Sequence, residues 1–233
     1  MINLKKKKHE QVIKQVYRQM SYYIAEKLLY SSITPNQITL SRIILIILSS
    51  SFILNDNYFL HLIAAILIIF FSFLDALDGS LANLKNKFSL LGTWLDPQID
   101  RLGFLILFIA IAYNLSKENE FYIYLTMYVL VIFYFRGLIS TDLRIKDKFE
   151  KLREGQENNE VNHLKRNIKK NNLLSVIKLQ TSPHTHNVSL YISIGLIFKI
   201  LNFIIIFLGF YLTIWYLWQN YKVIKKALKL DSQ

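Results

Sequence analysis

Long apolar blocks separated by short polar connections dominate the chain, and most are long enough to cross a bilayer. Residues 1–33 differ from the rest. Their apolar positions Val12, Ile13, Val16, Tyr17, Met20, Ile24 and Leu28 recur at helical spacing among basic residues. That pattern predicts an amphipathic helix lying on a membrane surface. In the following string SITPNQIT, Thr34 can cap a helix and Pro35 suits its first position. The apolar run from there to Leu54 is long enough for a short span. Arg42 sits inside it, either snorkelling to the headgroups or facing an internal cavity.

A second span is predicted from about Tyr58 to Leu74, a third from about Ser89 to Leu115 and a fourth from about Phe121 to Ser140. His61, near the start of the second, is expected to fill space at the interface. Pro97 in the third removes one helix donor, which predicts a kink or an opened hydrogen-bond ladder. From Val188 to Trp218 the chain is almost wholly apolar apart from Lys199 and Asn202. As one helix this stretch would run roughly 46 Å, against roughly 30 Å of hydrocarbon. Two spans are expected instead, the fifth starting near Pro183 and turning near Lys199 to Asn202. The expected fold is all-α: an integral membrane bundle of six transmembrane helices behind an N-terminal amphipathic surface helix. It divides into residues 1–33, a membrane catalytic domain over 34–222 containing a basic loop at 142–183, and a basic tail at 223–233.

Composition agrees. The chain is 53% hydrophobic, which is too apolar for an ordinary soluble domain. Its formal net charge of +12 is concentrated between the apolar blocks. That placement marks cytoplasmic loops and contact with anionic lipid, and no nucleic-acid partner is expected. There are no cysteines, so disulfides and thiolate metal sites are excluded. The N-terminus is basic without an adjacent apolar run, so a cleaved signal peptide is not expected. Lys and Arg gather in the N-terminal arm, the 83–87 loop, the 142–183 loop and the tail, and are sparse at 55–57 and 116–120. The positive-inside rule then puts both termini in the cytoplasm. The richness in Ile, Asn and Lys fits an AT-rich bacterial genome, so a bacterial cytoplasmic membrane is the expected location.

The candidate chemistry lies between the second and third spans, in DALDGSLANLKNKFSLLGTWLDPQID, residues 75–100. Asp75 and Asp78 share one helix face, and so do Asp96 and Asp100. Carboxylates at a membrane segment are expensive and usually face a polar cavity, a cation or a partner charge. Two such pairs on neighbouring helices suit one or two divalent metals held by oxygen. The charge pattern brings both pairs to the cytoplasmic face. The small residues Gly79, Ala82 and Gly92 would let a large group approach the backbone.

The pattern D-x2-D-G-x2-A-N-x8-G-x3-D-x3-D closely resembles the signature of the CDP-alcohol phosphotransferases, or phosphatidyltransferases, which are integral membrane enzymes. The T-P-N-x-I-T string at 34–39 resembles the segment that opens the first membrane helix of the same family. The resemblance implies transfer of a substituted phosphate group, such as phosphatidyl, from a CDP-alcohol to an acceptor alcohol, with release of CMP. It implies that Asp75, Asp78 and Asp96 bind Mg²⁺ or Mn²⁺, as two ions, and that Asp100 is the general base and touches a metal. Asp75, Asp78, Gly79, Ala82, Asn83, Lys85 and Gly92 would line the nucleotide site. One position departs: the family usually has Arg where this chain has Asn83, and Lys85 or Lys87 would have to supply that charge. Arg136 and Arg144 resemble the R-x7-R stretch of the phosphatidylglycerophosphate synthase branch and would bind a phosphorylated acceptor; alternatively they mark the cytoplasmic end of a span. His184 and His186 form an H-x-H, a weak metal signal, and can also line the substrate site. The implied partners are a CDP-alcohol such as CDP-diacylglycerol, an acceptor alcohol, membrane lipid and a second copy in a homodimer.

Two other functions fit the same residues. A divalent-cation transporter would use the carboxylates, but would spread acidic residues through the membrane depth, whereas here they cluster at one face. A catalytically silent family member acting as a membrane scaffold would be consistent with Asn83.

Overall fold

Helix starts follow the capping chemistry written in the chain. At the start of the first long apolar helix the Thr34 hydroxyl accepts from the Gln37 amide at 3.3 Å, and the Gln37 side chain accepts from the Thr34 amide at 2.8 Å. Pro35 occupies the first turn, where no donor is wanted. Asn57 and Asn119 cap two later helices in the same manner, accepting from the amides of Phe59 and Phe121 at 2.9 Å. The structure, a computed structural model, describes residues 12–86, 90–135 and 185–231. Among these residues it is all-helical: α1 (Val12–Lys27), α2 (Pro35–Ile53), α3 (Tyr58–Lys85), α4 (Leu90–Ser116), α5 (Phe121–Phe135), α6 (Thr185–Ile197) and α7 (Leu201–Asp231).

Among the described residues four stretches are long and apolar enough to cross a membrane: Pro35–Ile53, Tyr58–Lys85, Leu95–Ser116 and Leu201–Tyr221. Two shorter apolar helices, Phe121–Phe135 and His186–Ile197, accompany them. The outward faces are apolar, with Ile44, Ile66, Ile109, Phe203, Phe210 and Ile214 all exposed. A soluble protein would not expose so much apolar surface, whereas lipid covers it at no cost. The protein is a membrane-embedded helical bundle.

The core is aromatic at its centre. Phe104 of α4 meets Phe71 of α3 edge-on at 6.2 Å and Phe133 of α5 at 4.8 Å between ring centroids. Ile68, Leu107, Ile111, Ile192 and Ile205 close around them. Gly103 packs closely there: a Cβ at this position would come within 3.1 Å of the Phe71 ring, which would have to shift by a few tenths of an ångström. A second cluster of Ala25, Ile38, Phe73, Leu74, Leu77 and Leu81 joins α1 and α2 to the far end of α3. The amphipathic α1 thus rests on the bundle: Ala25 and Ser21 are buried, and the Ser21 hydroxyl lies 2.8 Å from that of Ser80. Val16, Met20 and Tyr23 stay exposed on its other face.

The apolar block from Val188 to Trp218 is divided as its polar pair predicts. α6 ends at Ile197, and α7 begins at Leu201. Lys199 takes a left-handed φ of 55°, and the Ile200 amide closes the turn on the Gly195 carbonyl at 2.9 Å. A Cβ on Gly195 would meet the Leu201 backbone at 3.1 Å, so the close return of the chain favours a residue without a side chain there. Pro97 lies inside α4, which continues through it.

Candidate active site

Three helices converge on one charged centre. α3 contributes Asp75 and Asp78, one turn apart; α4 contributes Asp96 and Asp100, also one turn apart. α2, packed between them, contributes Thr39 and Arg42 from one face. Arg42 is fully buried, and its guanidinium reaches all four carboxylates. Nη1 lies 2.7 Å from Asp96 Oδ1, 2.9 Å from Asp75 Oδ1 and 3.7 Å from Asp78 Oδ2. Nη2 donates to Asp100 Oδ1. Beneath the guanidinium lies the Phe71 ring, 4.6 Å from Cζ, a cation–π support.

Asp78 is the most enclosed of the four. Its side chain is 9% exposed, and Thr39 Oγ1 donates to its Oδ2 at 2.6 Å. Asp96, with a side chain 44% exposed, forms the open rim. α6 and α1 close the other side. His186 Nε2 lies 3.4 Å from Asp75 Oδ2, and its ring packs on that of Tyr17 at 5.4 Å. Burial raises the Tyr17 hydroxyl above its ordinary pKa, which keeps that neighbour neutral.

The donor set fits a divalent cation. Ligand oxygens of Asp75, Asp78 and Asp96 lie within 4.8 Å of one another, and hard, oxygen-preferring ions are bound by such carboxylates. Asp100 joins the group through the shared guanidinium, not as part of that triad.

The remaining sequence-derived candidates fall into four groups. Gly79, Ala82 and Asn83 continue the Asp75–Asp78 strip along α3. A Cβ on Gly79 would meet nothing within 4 Å, so the strip there faces open space. Asn83 is exposed, and its Nδ2 donates to the Gly79 carbonyl at 2.7 Å. Lys85 is tethered: its Nζ donates to the carbonyls of Ser31 and Ile33 at 2.8 and 2.7 Å, pinning the end of α3 to the α1–α2 connection. Gly92 is half-buried near the start of α4. Lys87, Arg136, Arg144 and His184 lie outside the described residues. The geometry adds Arg42, Thr39, Tyr17 and Phe71 to the centre. Arg42 carried a signal, since a charge within an apolar run is functional more often than not. Thr39, on the same face, closes the T-P-N-x-I-T string, which marked it only as part of a helix start, and the distant Tyr17 carried no signal.

The family model for CDP-alcohol phosphatidyltransferase matches residues 32–215, which includes every helix of the centre except α1. The chain belongs to the CDP-alcohol phosphatidyltransferase family. Its similarity to characterised family members is local. It is 39% identical over 80 residues to the archaetidylinositol phosphate synthase of Pyrococcus horikoshii, a match covering 34% of this chain and 41% of that protein. It is 38% identical over 68 residues to the CDP-diacylglycerol–glycerol-3-phosphate 3-phosphatidyltransferase of Aquifex aeolicus, covering 29% of this chain and 36% of that protein. The matched segments thus span less than half the length of either relative.

Proposed function

We propose that this phosphatidyltransferase-family chain moves a substituted phosphate group from a CDP-alcohol to an acceptor alcohol and releases CMP. The observation that carries this reading is the convergence of all four signature aspartates, from two helices, on one charged centre. Asp75, Asp78 and Asp96 would hold Mg²⁺ or Mn²⁺, with Asp100 adjoining a second ion. A bound divalent cation supplies charge neutralisation and polarisation of the donor's phosphoryl oxygens.

The chain's own residues do the rest. The acceptor hydroxyl attacks the phosphorus that carries the donor's alcohol group. Its proton passes to the Asp100 carboxylate, the phosphoanhydride bond breaks, and CMP departs with the bond electrons. Thr39 fixes the orientation of Asp78, and His186 that of Asp75. Gly79 and Ala82 leave room for the cytidine, and Gly92 permits close helix packing there. Asn83 offers an amide where the family usually offers a guanidinium. Lys85 retains one of its three N–H donors for the nucleotide after serving Ser31 and Ile33, and Lys87 is the other candidate. Arg136 and Arg144 favour an acceptor that itself bears phosphate. The name of the Aquifex relative, with glycerol 3-phosphate as acceptor, supports that choice. A donor of the CDP-diacylglycerol type follows from the same name.

The six-span topology, with both termini and the carboxylates on the cytoplasmic side of a bacterial membrane, rests on the distribution of Lys and Arg. A homodimer is the assembly the family resemblance supports. The clustering of acids at one membrane depth disfavours a transporter. Purified protein given labelled CDP-diacylglycerol, Mn²⁺ and a panel of alcohols should release CMP and label one acceptor. Silence with every acceptor, despite nucleotide binding, would instead support a scaffold. Removing Lys85 and Lys87 together should weaken CDP-alcohol binding, and unchanged affinity would exclude them as substitutes for the family's Arg.

A further inference from the structure

We infer that Arg42 is a built-in counter-ion occupying the seat of the divalent cation, so that the cation must displace it to enter. The inference rests on the metal reading above and concerns what that site holds beforehand. Nη1 approaches Asp75, Asp78 and Asp96 at 2.9, 3.7 and 2.7 Å. These are the three residues whose oxygens cluster within 4.8 Å. An ion such as Mg²⁺ needs its oxygens at about 2.1 Å and in a near-octahedral shell. A guanidinium nitrogen in the middle of the same three carboxylates leaves no room for that shell. The two cations exclude each other.

Electrostatics explains why the arginine is there. Four carboxylates brought together in a partly buried site repel one another strongly. A guanidinium cannot lose its charge, so it neutralises part of that repulsion under all conditions. Yet the seat is not tailored to it. The buried Nε of Arg42 has no acceptor among the described residues, so one of its five donors goes unused. One guanidinium also has to serve four carboxyl groups. Such a centre is held together provisionally by Arg42 and satisfied fully by divalent ions. Where a site is open only part of the time, apparent affinity falls in proportion to the open fraction. Arg42 therefore weakens metal binding while it stabilises the metal-free chain.

The test uses the full chain in detergent or lipid nanodiscs, without nucleotide, and reads Mn²⁺ binding from the resonance of the free ion. Wild type, Arg42→Gln, Arg42→Lys and the distant Lys117→Gln are compared. Arg42→Gln should bind Mn²⁺ about tenfold or more tightly than wild type, as expected when a closed fraction is removed. Arg42→Lys, which replaces the planar fork by a single ammonium, should fall between them, and Lys117→Gln should match wild type. The melting midpoint of Arg42→Gln should be lower than wild type without metal and should rise more on adding Mn²⁺. Should Arg42→Gln not fold, Arg42→Lys decides alone. Equal or weaker Mn²⁺ binding by the Arg42 variants would overturn the inference and leave the metal site standing. No Mn²⁺ binding by any of the four proteins would overturn both.

Discussion

The two ends of this bundle satisfy their polar groups in opposite ways. At the end where α2 finishes and α3 begins, each polar side chain serves the turn beside it. Tyr58 donates to the Ile197 carbonyl at 2.7 Å and supports the Lys199 ammonium over its ring at 4.3 Å. Asn114 donates to the Ile53 carbonyl at 2.8 Å, and Lys117 pairs with the exposed Asp56 at 2.7 Å. The Lys117–Asp56 pair there faces outward. At the other end four carboxylates share one buried guanidinium. That imbalance has no structural use, because a lone helix cap or a solvated loop charge would do the same work more cheaply. The contrast separates polar residues that close a fold from polar residues that wait for a ligand.

Substitutions can break or sharpen the contrast. The largest effect is expected at Asp100. Asp100→Asn should lower CMP release by about 10²–10⁴-fold, the range of a lost general base, while nucleotide binding is largely kept. Robust turnover by this variant would remove Asp100 from the base role. Thr39→Val should come next. It strips the hydroxyl that donates to Asp78 and should cost about 1.5–3 kcal/mol, the range for a hydrogen bond to a charged group, read as a lower chemical-denaturation midpoint. At the opposite end Tyr58→Phe should cost about 1 kcal/mol by freeing one carbonyl, with turnover unchanged. Lys117→Gln should be the mildest, within about 1 kcal/mol, because its ion pair with Asp56 is exposed and screened. Stability losses from these last two variants as large as from Thr39→Val would erase the distinction between the ends.

Much of this was legible in the chain because it is local. Periodicity and capping chemistry mark α1 and α2, with Thr34 and Pro35 falling where they were expected. The polar interruption at Lys199 and Asn202 locates the α6–α7 turn, although Lys199, not glycine, takes the left-handed position. The aspartates were legible as two pairs, each on its own helix face. That the pairs meet is a tertiary fact. Arg42 shows the limit most clearly. Along one helix its snorkelling and inward-facing alternatives are equally open. Only the packing of α2 against α3 and α4 decides for the inward one. Lys85 was expected near the nucleotide on grounds of charge, and its bonds to Ser31 and Ile33 depend on a backbone fold that no sequence pattern displays. Tyr17 and His186 meet across more than half the chain, beyond the reach of any spacing rule.

The measurement that bears most directly on the centre is Mn²⁺ binding to Asp75→Asn and Asp96→Asn, each made singly in the full chain. These residues come from α3 and α4, and a shared cation needs both. Each substitution alone should remove most of the Mn²⁺ affinity while the protein stays folded. Wild-type affinity in either variant would mean that the two helices do not hold one ion between them.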